Sequence, residues 1–200
     1  MRFSQHFRMS LTRRGEKELR LGAFIARGLR GLAPESASPC TGSQGTERAI
    51  LVVARSAQSP VVKSIAALAH EIAAARCRVR MILARADRSG LADAFIAAQA
   101  AALECDVRCV RNPRLIEAHE QLVLGPRASW TGDSMRRDPA ICDAYESFAE
   151  DCPEMAAAAR ATFERLWRDG EPIAEPAPIA AATLGAPNAI PPGGLLARRR

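Results

Sequence analysis

Residues 49–54 read Ala-Ile-Leu-Val-Val-Ala, six apolar residues with no polar interruption. The run is short and rich in β-branched side chains, which suits a strand buried on both faces. Residues 79–84, apolar apart from Arg80, read as a second buried strand. Between them, Ser59-Pro60 supplies an N-cap and a first-turn proline, and Val61, Ile65, Leu68 and Ile72 follow at helical spacing to about Arg76. Strand, helix and strand in this order imply parallel pairing through a right-handed crossover. A second helix is expected over 91–104, after Ser89-Gly90, and a third strand over 106–111, ended by Asn112-Pro113. The fold class expected is α/β, a mixed sheet with helices on both faces.

From residue 115 the pattern changes to short strands around turns, expected at 115–119, 121–125 and 128–131. Residues 143–148 read as a further strand or a helical turn. Pro153 opens a helix to about residue 169, with Met155, Ala159, Phe163, Leu166 and Trp167 as its apolar stripe. The α/β domain is thus expected over 49–169. Residues 33–48 are rich in Pro, Ser, Gly and Thr and read as a linker; residues 170–200, rich in Pro, Ala and Gly, read as a disordered tail.

Charge is concentrated at the front of the chain. Arg2, Arg8, Arg13, Arg14, Lys17, Arg20, Arg27 and Arg30 face only Glu16 and Glu18 in residues 1–32, and eight minus two equals the net +6 of the whole chain. Leu19, Phe24, Ile25, Leu29 and Leu32 recur there at loosely helical spacing. The segment reads as a basic leader helix or a helix packed on the domain; as a free element it would contact nucleic acid or an anionic membrane. The six cysteines follow no signal-peptide pattern, so the chain is expected to be cytoplasmic with reduced thiols. Cys105 and Cys109 are too far apart on a strand, about 13 Å, to share a zinc ion whose sulfurs lie about 2.3 Å from it. No metal and no cofactor are expected.

The chemistry gathers between His119 and Arg137. His119 opens the stretch, Gly125-Pro126 turns it, and Thr131-Gly132-Asp133-Ser134 closes it, followed by Arg136 and Arg137. The element order, this hairpin and Phe163-Glu164-Arg165-Leu166-Trp167 on the last helix together resemble one half of the phospholipase D superfamily. The part compared is His-x-Lys-x4-Asp-x6-Gly-Ser-x-Asn. Members of that superfamily cleave phosphodiesters through a phosphohistidine, using two such motifs per site. Histidine is the nucleophile and the acid there, and Lys and Asn neutralise phosphoryl charge.

The motif here is altered. Counted from His119, the Lys position holds Gln121, the Asp position Pro126 and the Gly position Asp133. Counted back from Gly132, the positions fall on Ala118, Glu120 and Gly125. The segment is one residue short, most simply at the Gly125-Pro126 turn. Losing one oxyanion donor typically costs about 10² to 10³ in rate, and both registers lack Lys and Asp.

The resemblance therefore implies a non-catalytic domain of phospholipase D type, a binding or assembly module that takes a phosphate-bearing ligand on Gln121, Asp133, Ser134 and Arg136. One half-unit per chain implies a homodimer. The alternative is a dimeric phosphodiesterase or nuclease with His119 as its nucleophile. Trp130 is expected in the core, and His70 on a helix surface.

Overall fold

A computed structural model describes residues 14–32, 48–86, 88–111, 115, 118–136 and 145–173. Residues 1–13, most of the expected linker and the tail from 174 lie outside the described residues, as do Asn112, Pro113 and Arg137.

The apolar run Ala49–Ala54 is strand β1, wholly buried. It pairs in parallel with β2 (Arg78–Leu83), and β2 pairs in parallel with β3 (Cys105–Cys109). The hairpin β4 (His119–Leu124) and β5 (Ala128–Ser134) adds antiparallel to the other side of β1, and β6 (Glu146–Ala149) pairs with β5. The two-residue β7 (Glu171–Pro172) closes the far edge against β3. The sheet is mixed and seven-stranded, in the order β6-β5-β4-β1-β2-β3-β7. The expected strand over 115–119 is replaced: Leu115 sits in a helical-type turn with its side chain in the core, and pairing begins at His119.

The expected crossover helix divides into α2 (Pro60–Ala67) and α3 (Ala69–Ala74), with Leu68 between them at φ −105°, ψ 17°. One turn earlier, the Ser64 hydroxyl donates to the Pro60 carbonyl at 2.9 Å, a back-bond of the kind that bends helices. The helix ends with Arg76 at φ 53° and the Cys77 N–H bonded to the Ile72 carbonyl at 3.1 Å. Helix α4 (Arg88–Ala100) precedes β3, and α5 (Pro153–Arg168) follows β6.

Alternation along the strands divides the core into two layers. One layer joins Ile50, Val52, Val79, Met81, Leu122, Leu124 and Trp130 to α2, α3 and α4. The other joins Leu51, Val53, Ile82 and Val123 to Ala156, Ala159, Phe163 and Leu166 of α5. Helices thus cover both faces. Met155, expected in the α5 stripe, stays 44% exposed, and Ala156 takes the buried position.

The basic segment is helical over α1 (Arg14–Leu32), which packs on the domain and shares its core. Leu21, Phe24, Ile25 and Leu29 are buried, each contributing roughly 1.5–3 kcal/mol. The stripe is displaced from the expected one, because Leu19 is 76% exposed and Leu21 carries the contact. Close approach to β4 is made at Gly28, where a Cβ would lie 2.7 Å from Leu124 Cδ1. Arg20 pairs with Glu146 and Arg27 with Glu150, tying α1 to β6 and the turn after it. No described helix is long and apolar enough to cross a membrane.

Candidate functional site

The carboxyl ends of parallel strands are where α/β sheets hold ligands. Here that edge is built by the end of β1, the start of β4 and the end of β5. His119 faces Ser134 across the hairpin, and Glu120 faces Gly132. Asp133 is the extra residue of a β-bulge, at φ 45°, a conformation Asp tolerates better than most residues. The irregularity of the hairpin therefore lies at Asp133, beside the histidine, while Gly125 makes its turn at φ 61°.

The bulge and the pleat send neighbouring residues to opposite faces. Glu120 shares the α1 face with Leu122, Leu124 and Trp130. It is 3% exposed. One carboxyl oxygen accepts the Arg55 backbone N–H at 2.9 Å, and the Ser59 hydroxyl bonds the same group. Beside it, Lys17 of α1 is 0% exposed and its ammonium lies 2.5 Å from Asp133 Oδ1. The ammonium also sits 5.5 Å from the centre of the Trp130 ring. Burial pushes the Glu120 carboxyl up to about 7, with Asp133 adding to the rise; Ser59, the Arg55 N–H and Lys17 oppose it. At neutral pH this layer thus holds a Lys–Asp pair and a carboxyl that is only partly ionised, packed under α1.

The opposite face is half-buried. His119 and Gln121 alternate onto the side of α5, and Ser134 lies opposite His119. Gln121 continues into a polar row with Thr131 and Ser147 across β5 and β6. The Tyr145 ring lies 5.1 Å from the His119 ring, tilted by 47°. His119, Gln121, Thr131, Ser134, Tyr145 and Ser147 are all half-buried. Two buried atoms among them, His119 Nδ1 and Gln121 Oε1, have no hydrogen-bond partner among the described residues.

The expected group of site residues is therefore divided. His119, Gln121 and Ser134 are brought together. Asp133 is not with them: the bulge turns it to the α1 face, where Lys17 holds it. Arg136 lies two residues beyond the strand, exposed, with its backbone N–H on the Ser134 hydroxyl at 3.3 Å. Two residues escaped the sequence reading. Lys17 looked like one more cation in a basic helix. Glu120 appeared only as a mismatch at a lysine position.

No protein-family model and no curated protein sequence matches the chain. Among solved structures it is similar to Nuc, a phospholipase D family member from Salmonella typhimurium. The identity is 13%, over 74% of this chain and 89% of that one, with a TM-score of 0.42. It is also similar to TrmBL2, an archaeal chromatin protein described as showing a novel mode of DNA binding. There the identity is 10%, over 76% of this chain and 52% of that one, with a TM-score of 0.43.

Proposed function

We propose that the chain is a non-catalytic α/β module that binds a phosphate-bearing ligand on the half-buried face of His119, Gln121 and Ser134. The observation that supports this most is the pair of buried, unpartnered polar atoms, His119 Nδ1 and Gln121 Oε1, on one face at the carboxyl edge. A buried polar atom without a partner costs about 1–3 kcal/mol, which a bound ligand would return. A Gln amide turned over places its NH2 where the oxygen stood, and a protonated Nδ1 is a donor, so both suit an oxyanion.

The other face supports the reading without turnover. The two buried carboxyl groups that could manage protons, Glu120 and Asp133, lie across the sheet from His119 and are occupied with Arg55, Ser59 and Lys17. No second imidazole accompanies His119 among the described residues, since His70 lies on α3. Attack by the His119 imidazole on a phosphodiester would break the P–O bond only as the leaving oxygen took up a proton, and no second imidazole is there among the described residues to supply it.

Assembly as a homodimer belongs to the same proposal. A two-fold axis near this face would place two copies of it opposite each other. Light scattering at micromolar concentration should give the mass of a dimer. Bis-p-nitrophenyl phosphate separates this reading from a phosphodiesterase. Wild type and His119→Ala should share one background rate, and a wild-type rate well above it would replace the binding module with an enzyme.

A further inference from the structure

The His119 face, read as a ligand site, receives no Lys or Arg from β4 or β5: the lysine position of the altered motif holds Gln121 or Glu120. The neighbouring strand supplies one. In the β1–β4 register Val53 faces Gln121. Continued by two residues, the same register sets Arg55 opposite His119, on the face that Val53 and Gln121 share.

The backbone of Arg55 is held on both sides. Its N–H donates to Glu120 Oε1 at 2.9 Å, and its carbonyl accepts the Arg85 N–H at 2.8 Å. Its guanidinium Nη1 is buried and has no hydrogen-bond partner among the described residues. Other arginines around the sheet differ. Arg80 makes a two-pronged pair with Glu164 at 2.6 and 3.2 Å, and Arg78 lies 3.2 Å from Asp106. Arg108 donates to the Trp167 carbonyl at 2.7 Å. Those three hold the fold together. Glu120 takes the Arg55 backbone N–H and lies on the other side of the sheet.

We infer that Arg55 is the charged anchor of the His119 face and pairs with a phosphate oxyanion held between β1 and β4. The inference rests on the reading of that face as a ligand site. Arg55 Nη1, His119 Nδ1 and the Gln121 amide then act as three donors from two adjacent strands. The guanidinium is planar and permanently charged, which suits two phosphate oxygens at once. The ligand class is a tetrahedral phosphate, free or as a phosphodiester.

The test is calorimetric titration of the full chain with inorganic phosphate and, separately, with thymidylyl-thymidine. Wild type should bind at least one probe, more weakly as salt rises. Arg55→Gln and His119→Ala should each weaken binding about tenfold or more, and Arg55→Lys should lose less than Arg55→Gln. The stronger probe identifies the source of the phosphate. If Arg55→Gln binds like wild type while His119→Ala does not, the Arg55 anchor is wrong and the face stands. If only the Arg55 variants weaken, the anion lies off the His119 face and the proposal fails as stated. Binding of neither probe by wild type removes both readings. Should Arg55→Gln not fold, the Arg55 Nε–Hε resonance of wild type decides: phosphate should shift it, and an unmoved signal overturns the inference.

Discussion

His119 and Glu120 are adjacent in the chain and lie on opposite faces of the sheet, one beside Tyr145 and the other among buried groups under α1. The bulge at Asp133 completes the division, because the extra residue carries its carboxylate to Lys17 while Ser134 remains opposite His119. One hairpin thus presents a half-buried imidazole face and a buried carboxyl layer, and each can be perturbed separately.

The buried layer makes stability depend on pH. Burial raises Glu120 from 4.5 to about 7. Between these values the folded chain keeps a proton that the unfolded chain has released, so stability is fully present below about 4.5 and is lost as pH rises to about 7. At about 1.4 kcal/mol per unit, the loss is on the order of 3 kcal/mol. Glu120→Gln keeps an acceptor for the Arg55 N–H and has no proton to lose. Urea unfolding at pH 5 and pH 8 should show wild type weakening relative to Glu120→Gln by this order. Parallel pH profiles for the two would count against a neutral carboxyl at 120.

The Lys17–Asp133 pair should behave as a buried ion pair. Lys17→Met removes the ammonium and leaves Asp133 buried, which should cost about 3–5 kcal/mol in chemical denaturation. Adding Asp133→Asn removes the stranded charge and keeps a side chain that accepts a positive φ, so the double variant should recover more than half of that loss. Additive losses would mean that the two groups do not depend on each other.

The strand–helix–strand core was legible because Ala49–Ala54 admits few alternatives and Ser59-Pro60 marks where the next helix begins. The hairpin and α5 were legible from Gly125-Pro126 and Pro153 for the same local reasons. What failed to show was anything that depends on the other side of a contact. Lys17 is indistinguishable in sequence from its arginine neighbours, and only the bulge at Asp133 gives it a partner. Leu19 and Leu21 are two residues apart, so the helical stripe could be phased on either. Arg55 carried one usable signal, a charge at the carboxyl end of a buried parallel strand, but its register opposite His119 needs the antiparallel pairing of β4.

The approach of α1 to β4 can be tested at two glycines of one helix. Gly28→Ala places a Cβ 2.7 Å from Leu124 Cδ1 and 3.3 Å from its Cβ, and should destabilise by about 1–3 kcal/mol. Gly22→Ala meets nothing within 4 Å and should stabilise by up to about 1 kcal/mol through helix propensity. Thermal melts that move in the same direction for both would contradict the packing of α1.

The most direct measurement is long-range nitrogen–proton NMR of the histidine rings during a titration with inorganic phosphate. The account predicts that the His119 nitrogens shift progressively and saturate while those of His70, on α3, stay in place. Rings at 119 and 70 that respond alike, or a His119 signal that phosphate never moves, would contradict a phosphate site on this face.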